Sequence, residues 1–436
     1  MKILLRHRRQ TQGSALMISV VITGIIGASV VGYLELVGHQ QKMLTRAQYW
    51  NFALPAAEAG IEDALTHLHY YAHGSNVVGN GWEATDASGL YGKSNSLGTS
   101  RYSVTLKAIG NAKPVRIVSE GFTKLPPNNV EIKRTIEVLA SRFSLFPKGM
   151  VAKGQIDMSG NDVTSDSFDS EDPFYSTGGR YDVNKAKDNG DVATNSGLVN
   201  SLNVGNADIY GHVATGPGGS VAVGPNGAVG NFDWHKFHNG IQPGWCTDDM
   251  NVSFPDIDPP YTSGPAPTSA EISGIDYEYV LGKNSYYMNQ FSLGAKELML
   301  VTNNAVLFVN GSFSMSGQSQ IIIATNASLK LYVNGPADVG GNGIVNQNAY
   351  ATNFFFFGCT NNTSLKLSGN AEFTGVIYAP QAEFTLGGGG NDTYDFVGAS
   401  VSKTVKMNGH YKFHYDEALG RYGATSEYLI TSWREL

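Results

Sequence analysis

The chain has 436 residues, a formal charge of -7 and a pI near 5.8, with 15% charged residues and 52 glycines. So little charge with so much Gly, Asn, Ser and Thr argues against a mainly helical protein and for a turn-rich β protein of two to three domains. Lysine and arginine are too thinly spread to form a phosphate-binding face, which argues against nucleic acid as a partner.

Residues 1–13 form a basic leader, with Lys2, Arg6, His7, Arg8 and Arg9 and no acid. Residues 14–34 are uncharged and hold ten Leu, Ile and Val residues, and the first acid is Glu35. About 20 residues at 1.5 Å each cross a hydrocarbon core, so 14–34 are expected to form a transmembrane helix. The basic end stays cytoplasmic and the bulk lies outside, which predicts a single-pass inner-membrane protein with its mass in the periplasm or on a cell-surface filament. The alternative is a cleaved secretory signal, with an apolar stretch 15–26 followed by Gly27 and Ser29.

Residues 35–73 continue as an amphipathic stalk. Leu36, Met43, Ala47, Trp50, Leu54, Ala57, Ile61, Ala64, Leu65 and Leu68 mostly recur at three- and four-residue steps, one stripe on a helix. Pro55 should bend the rod, and Gly74 and Asn76 end it.

The run Arg9-Gln10-Thr11-Gln12-Gly13-Ser14-Ala15-Leu16, the apolar span, and 53–65 (ALPAAEAGIEDAL) resemble the N-terminus of PilX-type pilus assembly proteins. The resemblance implies a minor component of a type IV pilus or type II secretion-like filament. It implies prepilin-type cleavage between Gly13 and Ser14, and helix packing against other pilins or pseudopilins through Ile18, Ile22, Leu54, Ala57, Ile61 and Leu65. Major pilins carry a glutamate at the fifth residue of the mature helix, and here that position is Ile18. The departure favours a tip or initiation subunit, or one that stays in the membrane.

Residues 74–146 read as a small pilin-like antiparallel sheet, with a loop over 76–98 and strands over 101–109, 115–123 and 130–140. Gly110-Asn111 supplies one turn and 126–129 another. Glu120, Lys124, Glu131, Lys133, Arg134 and Glu137 are expected on its solvated face.

Beyond Pro147 short alternating apolar runs are separated by Asn-Gly or Ser-Gly turns. Examples are Leu307/Val309, Phe313/Met315, Ile321/Ile323, Leu329/Leu331/Val333, Leu365/Leu367 and Tyr411/Phe413/Tyr415, with turns at 310–311, 334–335, 368–369 and 408–409. The fold class expected is therefore α+β, the stalk and sheet being followed by a right-handed parallel β-helix, or solenoid, over 147–230 and 291–420. An antiparallel sandwich is the rival. Residues 231–290, rich in Pro, Trp and Tyr, read as an insertion packed on the flank or partly mobile, and 421–436 as a C-terminal tail. Residues 373–380, 387–390, 396–399 and 408–419 resemble the repetitive domain often fused to PilX-type N-termini, which implies no catalysis.

Candidate chemistry is sparse. Gly387-Gly388-Gly389-Gly390-Asn391-Asp392 matches a calcium nonapeptide once, where tandem copies are needed. Asp162, Asp166 and Asp169, with Glu171 and Asp172, offer calcium oxygens but fit a turn-forming loop as well. Cys246 and Cys359 can pair in an oxidising compartment or remain two free thiols. The sequence 414–417 (HYDE) invites a catalytic reading, but its aromatic stripe reads as core. His235, His238 and Trp234 suit a loop cluster, a metal or a sugar. No cofactor and no enzymatic activity are expected. The main alternative is a β-helix protein that binds or degrades polysaccharide, and surface polysaccharide is the remaining candidate partner.

Overall fold

A computed structural model describes residues 12–72, 81–84, 90–107, 115–142, 144–160, 162–368, 372–387, 394–408, 410–421 and 428–436. The chain divides into two compact units, Met1–Phe143 with Ser426–Leu436, and Ser144–Thr425. A long apolar N-terminal helix is followed by a large β-rich region.

The first unit begins with helix α1 (Gln12–Ala72), whose portion from Ala15 onward is long and apolar enough to cross a membrane. Its 61 residues span about 90 Å at 1.5 Å each. Leu16, Ile18, Ile22, Leu36, Met43, Leu44, Trp50 and Phe52 are all exposed. From Ala53 onward one side is buried, through Ala53, Ala56, Ala57, Ile61, Ala64 and Leu68. The helix continues through Pro55. Its expected stop at Gly74 and Asn76 lies outside the described residues, as do the turn at 110–111 and the leader up to residue 11.

That side packs on an antiparallel sheet of β1 (Glu83–Ala84), β2 (Leu90–Leu97), β3 (Ser100–Lys107), β4 (Val115–Leu125), β5 (Val130–Arg142) and a C-terminal strand, Tyr428–Glu435. Small residues set the approach. A Cβ on Gly121 of β4 would stand 2.1 Å from the Ala53 carbonyl oxygen, and one on Gly60 2.2 Å from Ser119 Oγ. Between helix and sheet lie Ile61, Ala64 and Leu68 against Tyr102, Val104, Leu106, Ile117, Ile136 and Val138.

Three expectations are corrected in this unit. Part of the expected loop 76–98 is β2, paired with β3 from Leu90↔Lys107 to Leu97↔Ser100; its polar residues, the half-buried Lys93 and the exposed Ser94, Asn95 and Ser96, hide the strand from a hydrophobicity count. Half of the expected tail, Tyr428–Glu435, is the sixth strand, paired with β5, so the second unit is inserted in sequence between neighbouring strands of one sheet. Finally, Arg134 and Glu137 are buried, not solvated. The Arg134 guanidinium lies 3.8 Å from the centre of the Trp50 ring and chelates Glu435, while Glu137 sits between Arg116 and Arg434. Burial opposes the Glu137 charge, but the two arginines outweigh it and hold its pKa below the ordinary range.

In the second unit parallel pairing dominates. Phe291–Leu293 pairs with Phe313–Met315, that with Ala337–Val339, and that with Ser364–Leu367. The ladder continues through Phe373–Leu386 and Tyr394–Met407. It then passes to the beginning of the unit, because Tyr394–Met407 pairs with Met150–Ala152 and Ile156–Asp157. From there it runs through Leu202–Gly205 to Val221–Val223. First and last segments thus meet in the middle of the ladder. Among the unit's described strands, hairpin pairing of the kind a sandwich requires occurs between Thr268–Ile272 and Ile275–Leu281.

Alternate side chains point inward, and every apolar residue of the six runs named above is buried. Like residues stack along the ladder. Phe373, Phe396 and Phe413 lie face to face at 4.6 and 4.7 Å, and Asn310, Asn334 and Asn361 hydrogen-bond in series. The expected insertion 231–290 is smaller than its expected bounds, since Gly240–Ile241, Cys246–Thr247, Ile275–Leu281 and Ser285–Met288 all join ladders. Residues 248–267 cross the outer side of the strands. Val252 bonds to Asn195, the Pro255 oxygen accepts from Tyr378, Ile257 bridges to Cys359, and Tyr261 donates to the Tyr286 oxygen.

Of the two possibilities for Cys246 and Cys359, the structure has two free thiols, Cys246 exposed and Cys359 buried. Six strand-to-strand steps separate their positions, through Val213, Val192, Met150, Ser400, Ile377 and Phe356. At about 4.8 Å each that is roughly 29 Å, far beyond a disulfide's reach.

Candidate functional site

Two features carry chemistry: the outer side of α1, and a polar seam in the second unit. On α1, Ile18 and Ile22 are exposed, whereas Ala57 and Ile61 are consumed by the unit's own sheet and Leu54 and Leu65 are half-buried against it. The residues expected to serve assembly therefore divide: the N-terminal pair is free, and the C-terminal four build the unit's core. Gly13 and Ser14 lie at the beginning of α1.

The seam is where residues 162–191 meet 394–421. His414, 2% exposed, faces strand Thr164–Phe168 across a one-to-one register with Asp166. Its Nδ1 lies 2.5 Å from Asp166 Oδ1, and its Nε2 lies 3.4 Å from Asp395 Oδ1 without hydrogen-bond alignment. Tyr181 stacks on the imidazole at 3.7 Å and donates to Asp166 Oδ2 at 2.7 Å. Burial would lower the His414 pKa, but the two carboxylates outweigh it and raise it, while the His414 contact lowers that of Asp395. Burial and Asp166 push the Tyr181 phenol upward.

Further pairs tie the same segments. Arg421 binds Asp169 and Glu171, Lys187 pairs with Glu417, and the Ser170 backbone N–H donates to Asp416. The three aspartates considered for calcium are thus engaged separately: Asp162 with His410, Asp166 with His414 and Asp169 with Arg421. Among the described residues no group of three or more His, Cys, Asp or Glu side chains is arranged to hold a metal. Of the nonapeptide match, 388–393 lie outside the described residues.

Beside the seam lies a cleft of about 700 Å³ lined by Asp162, Thr164, Asn206, Asp208, His410 and Lys412, among others. Asp208, Thr164 and Lys412 occupy the same register position on three consecutive parallel strands. His410 Nδ1 lies 3.2 Å from Asp162 Oδ2. His235 closes the wall behind Asp208: its Nε2 bonds to the Ile209 oxygen, and its Nδ1 is unpartnered, 3.3 Å from Asp208 Oδ1. His238 stacks on Trp234, and His212 stacks on Trp245, each near 4 Å.

Sequence reasoning missed Asp208, Asp395, Lys412 and Tyr181. Asp162 and His410 lie 248 positions apart, and only knowledge that the ladder's last strands adjoin its first would unite them. The local signals were Asp162, Asp166 and Asp169, the run 414–417, and the grouping of Trp234, His235 and His238.

Residues 269–422 match a family described as a domain of unknown function, DUF7305. The match begins in the antiparallel hairpin and ends just past the seam, and so leaves out α1, its sheet and the strands before residue 248. No curated protein and no solved structure matches the chain.

Proposed function

We propose that the protein is a minor pilin-like component of a type IV pilus or type II secretion-like filament. Its N-terminal helix anchors it in the inner membrane, and it displays a non-catalytic, right-handed parallel β-helix outside the cytoplasm as a tip, assembly or adhesive element. Its partners are other pilins or pseudopilins, met through the outer side of α1, and surface polysaccharide.

The observation that carries the reading is the single helix with two characters. Its first forty residues expose Leu, Ile, Val, Met and Trp, and its last twenty pack on a sheet. Such an apolar surface is costly in water and favourable in a bilayer or a helical bundle. The solenoid reading is supported by parallel registers offset by roughly twenty residues, such as Ser285↔Val306 and Phe373↔Phe396, and by inward columns of like residues.

Deleting residues 1–34 and fractionating the cells tests the proposal. The expected result is loss from both membrane and filament. Normal membrane retention and piliation by the truncated chain refute it. N-terminal sequencing of the envelope form adds the processing step, with Ser14 as the expected first residue.

A further inference from the structure

We propose that the cleft beside the seam is an oligosaccharide-binding site, in which sugar hydroxyls are held between Asp162 and Asp208 as acceptors and His410 and Lys412 as donors. This inference deepens the surface-polysaccharide part of the proposed function and rests on it. The cavity, at about 700 Å³, is in the size class of small-molecule sites.

Its charge selects among ligands. Asp162 and Asp208 repel a phosphate, Lys412 repels a cation, and no described group of side chains is suited to a metal. A hydroxyl donates and accepts at once, so a polyol satisfies both kinds of wall. Register fixes the spacing. Asp208 and Lys412 stand two strands apart, about 9–10 Å between Cα atoms. One pyranose ring, with a hydrogen bond of roughly 2.8 Å on either side, bridges such a gap.

The site is also pre-set. The His235 side chain is 6% exposed, and its unpartnered Nδ1 faces Asp208 from behind. The parallel register holds Asp208, Thr164 and Lys412 in line before any ligand arrives, which lowers the ordering cost of binding. Both halves of the ladder contribute, Asp162 and Asp208 from one and His410 and Lys412 from the other, so the cleft exists only when the seam is closed.

The test uses the full-length chain in detergent. Saturation-transfer NMR is run with cellohexaose, maltohexaose and chitohexaose as probes, with inorganic phosphate and calcium as separate arms. At least one oligosaccharide should bind, and Asp208→Asn and Lys412→Met should each weaken it at least tenfold without lowering the melting temperature. Lys330→Gln, on an exposed position elsewhere in the ladder, should leave it unchanged. Because Lys412 is exposed, its variant keeps the test intact if Asp208→Asn fails to fold. The inference is overturned if no oligosaccharide binds, if both variants bind like the parent, or if phosphate or calcium displaces the sugar. Binding is read without filaments, so a missing sugar signal counts against the cleft alone, whereas retention after deletion of 1–34 counts against the anchor alone.

Discussion

Replacing His414 with leucine tests the seam most directly. The imidazole is 2% exposed and lies between Asp166 and Asp395, so its removal leaves the buried Asp166 carboxylate, among the described residues, with Tyr181 as its remaining side-chain hydrogen-bond partner. Removing one member of a buried pair costs about 3–5 kcal/mol. For a unit of this size about 2 °C per kcal/mol applies, which lowers the melting temperature by roughly 6–10 °C. The pH dependence gives a second, sharper readout. The His414 pKa is raised, so its contribution is fully present below the unfolded value of about 6.5 and fades as pH rises through the folded one. The Asp395 pKa is lowered, so its contribution is present above about 3.9 and fades as pH falls through the folded value. The parent protein should therefore lose stability as pH rises from about 6.5 through the folded His414 value, and His414→Leu should flatten that limb. Lys412, Tyr181 and Asp166 also face the pair and are unchanged in the variant. Thermal unfolding from pH 4 to 9, with hydrogen exchange read over 164–168 and 411–416, measures both effects. A variant that melts within about 1 kcal/mol of the parent, with the same pH profile, would refute the reasoning.

Three further outcomes follow from packing. Gly121→Ala places a methyl group against the Ala53 carbonyl and the Ala57 nitrogen, two backbone atoms that cannot rotate away; it should destabilise the first unit by about 1–3 kcal/mol, seen as early exchange of 53–68 and 115–125. Phe396→Ala removes the middle ring of the Phe373–Phe396–Phe413 stack and should cost about 3–5 kcal/mol, measured by denaturant unfolding; a loss under 1 kcal/mol would deny that this column is core. Maleimide should label Cys246 in the native protein and Cys359 only after denaturation, since burial raises the Cys359 pKa to about 11. Mass spectrometry without reductant that finds neither thiol labelled would reinstate the disulfide.

The sequence exposed those features whose cause is local. An uncharged run of Leu, Ile and Val reports a helix fit for lipid, and the alternation Tyr102, Val104, Leu106 reports a half-buried strand, which is β3. The inward residues of the ladder were legible for the same reason. What stayed hidden depends on partners distant in sequence. The strand Tyr428–Glu435 has polar and apolar residues without a clear period, and it is a strand because β5 offers an edge. Arg134 and Glu137 are ordinary charges until that strand and Trp50 cover them. The cleft residues are scattered over 250 positions and converge only through the pairing of the last strands with the first.

That pairing also accounts for the proline-rich segment. Because the ladder's first strands adjoin its last, the chain leaves the middle, reaches one end at Cys246, and must re-enter at the other end near Tyr286. Nine strand-to-strand steps separate these positions, about 43 Å. The twenty residues 248–267 would span only about 30 Å as a helix, but reach about 60 Å when extended. Pro255, Pro259, Pro260, Pro265 and Pro267 forbid the helix, and their missing N–H groups suit a segment that bonds through side chains and carbonyl oxygens rather than a ladder. The segment runs over an outward column in which Tyr287, Phe308, Tyr332, Phe357 and Tyr378 follow one another in register. Tyr261 meets the Phe308 ring edge-on, and the Pro255 oxygen receives the Tyr378 hydroxyl. Without that cover, Phe308 and Tyr378 would face water, so the composition that interrupts the repeat in sequence is the one needed to bridge and seal it in space.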